Sequence, residues 1–221
     1  MLSSKFSFKV AWLIAFSVAA STASADCPVS KRDARDGVIV WYTDGTAALL
    51  KLRDDGTMLE AFFEDPDGPQ TYYSIVENGY FTVEEGAIEQ SSQGSETPDR
   101  ITWTGEAPPL EPGMQAVETW GSIALGDEYE VKTYEVEIKV EETSIVYFEE
   151  CQYQSIKVML WMTDTRKDRE TDEPAVEVKS LAYIPQLGVT IHGAPVLMFD
   201  DGRMRIFDYR PYAITKQNPQ E

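Results

Sequence analysis

The sequence predicts an all-β protein: an antiparallel meander forming a curved sheet, half-barrel or sandwich, with no substantial helix in the mature chain. Three observations carry this. Short runs that alternate apolar and polar residues recur along the chain, which is the period of a strand with one face on a core and one in water. Turn dipeptides punctuate those runs, among them Asp44-Gly45, Asp55-Gly56, Asn78-Gly79 and Asp201-Gly202. Past the N-terminal leader no stretch holds helical periodicity over three turns, and only residues 29 to 36 suggest a single helical turn.

The leader comes first. Lys5 and Lys9 precede the apolar run Val10 to Ala20, and small residues ending in Ala23-Ser24-Ala25 follow it. That is the three-part pattern of a secretory signal peptide, residues 1–25, cleaved after Ala25. The run falls well short of the ~20 apolar residues a spanning helix needs, and no later run is longer. The expectation is a periplasmic, soluble chain with no stable membrane insertion. Asp26, not Cys27, would be the first residue after the cut, which argues against a lipid anchor on the thiol. Cys27 and Cys151 are the only two cysteines, and an even count in an exported chain predicts a disulfide between them. Such a bridge would close a loop of roughly 125 residues, worth about 5 kcal/mol at most on chain-entropy grounds.

Residues 26–105 read as a meander of hairpins. "VIVWYT" leads into Asp44-Gly45, "TAALLKLR" into Asp54-Asp55-Gly56, and "MLEAFFE" into "DPDG" at 65 to 68. "TYYSIVE" and "YFTVEE" flank Asn78-Gly79, the strongest hairpin signal, because both central positions of that turn need positive φ. The polar breaks at 91 to 99 and 106 to 113 surround the short strand "RITWT" and mark a boundary between subdomains or loops at a sheet edge.

Residues 106–214 read as a longer-stranded antiparallel sheet continuous with the first part. Tyr134, Val136, Ile138 and Val140 share one face, and Glu135, Glu137, Lys139 and Glu141 the other. Tyr129 and Val131 fall on the opposite phase, which predicts a bulge near Lys132-Thr133. "DTRKDRETDEP" is a charged loop, "AVEVKSLAYIP" and "VTIHG" are two further strands, and a last hairpin turns at Asp201-Gly202 before a frayed tail at 215–221.

The chemistry is sparse. A net charge of -19 repels phosphate backbones and excludes nucleic acid as a partner, while leaving cationic ligands, divalent metal ions and basic partners open. The sequence holds no G-x-S-x-G elbow, no H-E-x-x-H and no Walker loop. His192 is the only histidine, at a strand end beside Gly193, where surface or hydrogen-bonding roles are the rule. One histidine and two paired cysteines make no zinc site. Asp65 with Asp67, and Asp200 with Asp201, fall short of a calcium shell and sit where Asp-Gly turns already explain them. No catalytic residue, metal ligand or cofactor is assigned. Trp41, Trp103, Trp120 and Trp161 suit either sugar stacking or the interior of a sheet.

Cys151-Gln152-Tyr153, Ile156-Lys157-Val158 and Tyr183-Ile184-Pro185-Gln186-Leu187-Gly188 together carry a resemblance. Over residues 115–192 the chain resembles a group of uncharacterised periplasmic β-sheet proteins of Gram-negative bacteria, similar in shape to the half-barrels of lipoprotein carriers. Glu150 stands where that group usually has glycine, and Ala182 where an aromatic often precedes the Tyr-x-Pro. The resemblance implies antiparallel β and brings no catalytic residue. The expected function is a non-catalytic binding or carrier module using a concave sheet face, with Tyr134, Val136, Val158, Leu160 and Tyr183 as ligand-face candidates. Its partner would be an apolar small molecule or a protein segment. The alternatives are a structural or interaction module without a small ligand, or a glycan hydrolase built on two carboxylates.

Overall fold

The computed structural model describes residues 27–65, 68–87, 99–104, 110–111, 117–125, 130–166 and 173–217. Residues 1–26 with the expected signal peptide, most of the two polar breaks and the end of the tail lie outside the described residues. One short helix, α1 (Lys31–Asp36), precedes the strands. Its first turn is closed by Ser30, whose Oγ accepts from Asp33 N at 3.3 Å, while the Asp33 carboxylate accepts from Val29 N at 2.8 Å.

The first half of the chain supplies β1 (Val38–Tyr42), β2 (Ala47–Leu52), β3 (Met58–Phe63), β4 (Tyr72–Glu77), β5 (Phe81–Ala87) and β6 (Asp99–Thr104). The second supplies β7 (Val117–Leu125), β8 (Glu130–Phe148), β9 (Cys151–Asp164), β10 (Val176–Ile184), β11 (Val189–His192), β12 (Val196–Met198), β13 (Met204–Ile206) and β14 (Pro211–Lys216). Each pairs antiparallel with its neighbours, so the fold is the predicted meander with one long-range closure: β14 returns to pair with β1. The order runs β13-β12-β10-β9-β8-β7-β6-β5-β4-β3-β2-β1-β14, and β11 adds to β10 beside β12. The two ends of this order, β13 and β14, do not pair with each other, so the sheet is curled and not closed into a barrel.

Two halves meet at a narrow seam. Among the described residues, β5 and β6 share the pairs Glu84↔Arg100 and Glu85↔Asp99, whereas β8 and β9 stay in register along most of their length. The hairpin turns follow the sequence: Asn78 and Gly79 both take positive φ, 51° and 78°, as the turn requires. Asp44 and Asp55 each accept hydrogen bonds from the backbone N and hydroxyl of the threonine two residues on, so these acidic turns are explained by Asx chemistry. Asp201 likewise accepts from Arg203 N at 3.0 Å.

The bulge expected near Lys132-Thr133 is not there. β8 runs through those residues in unbroken register with β7, from Val117↔Ile138 to Leu125↔Glu130. The irregularity falls between Val140 and Thr143, where β8 spends one residue more than β9. The cause lies on β9. Its buried positions are Cys151, Tyr153 and Ser155, then Ile156, Val158 and Leu160, so the buried phase switches at the Ser155-Ile156 doublet and the partner strand must absorb the change.

Curling puts two apolar clusters inside. One gathers Val38, Val40, Leu50, Met58 and Val76 from the first half with Phe148, Tyr153, Ile184, Ile191 and Ile214 from the second, so both halves share a core. The Cys27–Cys151 disulfide lies in this cluster with a Cα–Cα distance of 5.8 Å, and Tyr153 OH donates to Pro28 O at 2.9 Å beside it. The disulfide marks an oxidising environment for the folded chain. The other cluster is centred on Val136, Ile138, Val140, Val158, Leu160 and Leu181. Among the described residues, no helix is long and apolar enough to cross a membrane.

Candidate functional site

Between the two clusters the inner face turns polar. Register places Val38, Leu50, Glu60, Ser74 and Glu85 directly opposite one another across β1 to β5. The row starts as aliphatic core and ends in a carboxylate. Glu60 sits in its middle at 0% exposure, on the same strand phase as Met58 and Phe62. Ser74 Oγ donates to Glu60 Oε2 at 3.3 Å.

His192 faces this row from the other half. β11 hairpins back on β10 through Leu187 and Gly188, both of which donate to Ile184 O, and pairs His192 with Leu181. Thr190 fixes the strand against the opposite half: its backbone N lies 3.5 Å from Met58 Sδ, and its hydroxyl donates to Gly79 O. Glycine suits position 79, where φ is +78° and a Cβ would press on the Tyr183 ring at 3.0 Å. These ties bring His192 Nδ1 to 3.5 Å from Glu60 Oε2.

Burial controls both groups. It raises the Glu60 carboxyl to about 8, against the opposing pull of the Ser74 hydrogen bond and the Lys179 charge. It lowers the His192 imidazole to about 3, with the Lys179 ammonium adding to the effect. Near pH 7 the pair is therefore mainly a neutral acid beside a neutral imidazole. Glu60 Oε1 and His192 Nε2 are buried without a hydrogen-bond partner among the described residues. Buried polar atoms in native proteins are paired with few exceptions, and exceptions concentrate where function keeps them.

Two cavities meet at the His192 side of this pair; Glu60 lies behind it and lines neither. One, about 210 Å³, is walled by Tyr80, Trp103 and Tyr134. The other, about 140 Å³, is walled by Tyr42, Phe62 and Tyr209. Glu177, Lys179, Leu181 and His192 line both, so β10 and the end of β11 form the ridge between them. Lys179 Nζ stands 3.6 Å from Glu177 Oε1, with the two side chains 32% and 28% exposed. The walls are held in place. Trp103 Nε1 donates to Thr82 O at 2.7 Å and its ring lies 4.5 Å from Phe81, while Tyr42 and Tyr209 meet edge to face at 5.5 Å.

The residues expected on a ligand face divide. Tyr134 and Leu160 line the larger cavity. Val136 and Val158 are fully buried in the second cluster, and Tyr183 packs half-buried against it without lining either cavity. Of the tryptophans, Trp103 is a cavity wall, Trp41 donates to Thr215 Oγ1 at 3.2 Å across β1 and β14, and the Trp120 side chain lies outside the described residues. The sequence reading did not single out Glu60, Glu177 or Lys179. For Glu60 a signal existed, a glutamate on the apolar phase of "MLEAFFE". Comparison of the chain with family models, with curated proteins and with solved structures returns no match.

Proposed function

We propose that the protein is an exported, periplasmic binding module that holds a small molecule in the paired cavities on the inner face of its curled sheet. The carrying observation is the shared ridge: two aromatic-walled cavities meet at Glu177, Lys179 and His192, whose Nε2 is buried without a hydrogen-bond partner among the described residues. Ligand sites are mostly apolar concavities with a few convergent polar groups, and this arrangement has that composition. The leader at residues 1–25 and the Cys27–Cys151 bridge support the address. The resemblance to periplasmic half-barrel proteins supports the same class.

The size of the cavities narrows the expectation. At about 210 and 140 Å³ each is smaller than the ~300 Å³ at which drug-sized sites begin, so the cargo is a compact molecule and not a diacyl lipid. The reading is non-catalytic. An imidazole held at about 3 is far from the operating pH at which a general base works best, and Glu60, though raised to about 8, lines neither cavity and so has no direct reach to a bound molecule.

Native, non-reducing mass spectrometry of the chain isolated from its own host tests the reading. The expected result is the oxidised mass of residues 26–221 with a small adduct that Trp103→Ala loses. A bare mass that stays bare after incubation with an extract of host metabolites would overturn it. It would favour instead an interaction module, which the exposed Ile145 and Tyr147 on β8 and Met204 and Ile206 on the edge strand β13 would serve.

A further inference from the structure

Each of the two cavities has the same makeup: three aromatic rings and a share of the Glu177-Lys179 ridge. Glu85 adds a second carboxylate to the larger one. The only cationic side chain among the described lining residues is Lys179, and it already stands 3.6 Å from Glu177. Building on the binding reading above, we infer that the cargo is a compact organic cation, an alkylated ammonium, which packs its charge among the aromatic rings and takes the place of Lys179 beside Glu177.

The physical basis is the ring quadrupole. A cation over the face of tryptophan or tyrosine is attracted to it, and cages of several rings are the recurrent solution for ammonium groups that cannot donate hydrogen bonds. The surrounding charge has the right sign. After burial, the acids that raise Tyr209 to about 12 are Glu60, Asp44 and Glu177; with Glu60 neutral near pH 7, Asp44 and Glu177 are the charges that its hydroxyl in the smaller cavity senses there. Tyr134 in the larger cavity is raised to about 12 by burial and then by Asp164, Glu177 and Glu173, with Arg166 alone opposing. At the level of the whole chain, a net charge of -19 concentrates cations near the mouth and repels anions.

Lys179 gives the inference its distinctive consequence. It is the protein's own cation at the site, so it competes with the cargo for Glu177. Removing it should tighten cation binding, the opposite of what loss of a merely structural contact would do.

The test uses the mature, disulfide-bonded chain and three probes of one shape: choline, its uncharged isostere with carbon in place of the quaternary nitrogen, and pivalate. Binding is read from the Trp103 indole resonance by NMR titration. The expected result is that choline binds about tenfold more tightly than the isostere and that pivalate does not bind. Lys179→Met should tighten choline binding several-fold and leave the isostere unchanged, and Glu177→Gln should weaken choline. Equal affinity for choline and the isostere, or weaker choline binding in Lys179→Met, overturns the cation inference and leaves the binding reading standing. Absence of saturable shifts with all three probes also overturns the inference, and the adduct measurement then decides the binding reading separately.

Discussion

The two interior regions of this protein are built to different standards. Around the Cys27–Cys151 bridge, α1, β1, β2, β14 and the turn after β10 enclose aliphatic side chains, and the Tyr153 hydroxyl that enters among them donates to Pro28 O. At the rim, Gln186 Nε2 donates to Val29 O at 2.8 Å and Lys216 meets Asp33 at 3.2 Å. A short way along the same sheet, Glu60 is fully buried and His192 largely so, both are held neutral, and each has one buried polar atom without a partner among the described residues. The first region stabilises the fold. The second carries a penalty that folding alone gives no reason to retain, and such local departures from consistency gather at functional sites.

The largest effect should come from the anchored end. Replacing both cysteines, Cys27→Ala with Cys151→Ala, should lower unfolding stability by about 2–5 kcal/mol, read as a shift of the urea midpoint. Because the bridge lies in one cluster and Trp103 packs against the other, the Trp103 environment should be kept in the variant below its transition. Loss of the Trp103 signal together with the bridge would show that the two regions are one unit and break the comparison.

Smaller and opposite in sign is the effect at the cleft. Glu60 has its folded pKa raised from 4.5 to about 8, so its contribution to stability is present below 4.5 and lost as pH rises toward 8. His192 has its folded pKa lowered from 6.5 to about 3, so its contribution is present above 6.5 and lost as pH falls toward 3. Glu60→Gln keeps the shape and removes the alkaline loss. Between pH 5 and 8 the wild type should lose stability relative to Glu60→Gln by an amount on the order of 3 kcal/mol. Parallel pH profiles for the two proteins would mean that Glu60 is ionised and solvated.

The smallest effect separates two turns. Gly45 and Gly79 both have positive φ, 91° and 78°, and an alanine at either should cost about 1 kcal/mol in backbone strain. At Gly45 a Cβ meets nothing within 4 Å, whereas at Gly79 it would crowd Tyr183 and Thr190, which hold β11 against the first half. Gly79→Ala should therefore destabilise more than Gly45→Ala and also shift the His192 resonances. Equal midpoints and an unmoved His192 would remove the turn from the support of the cleft.

How much of this was legible in the sequence follows from what a period of two can say. It gave the strands, the turns at Asp44-Gly45 and Asn78-Gly79, and the faces of β8, because alternation and turn chemistry are local. It misplaced the bulge because the phase change that forces it, Ser155-Ile156, lies on the partner strand. It offered Glu60 as an acid on an apolar phase, a signal hidden among 38 acidic residues. It had no means of placing Glu60 opposite His192, since alternation assigns a side chain to a face and leaves open which strand curls over it. The disulfide was accessible for a different reason: with two cysteines, only one pairing exists.

The most direct measurement is an NMR pH titration of the imidazole, which one histidine in the chain makes free of overlap. The ring should stay neutral through the physiological range, titrate only near pH 3 or as the protein unfolds in acid, and shift when choline binds. A histidine that titrates freely near 6.5, its model-peptide value, would place the ring in water and contradict the cleft on which the proposed function rests.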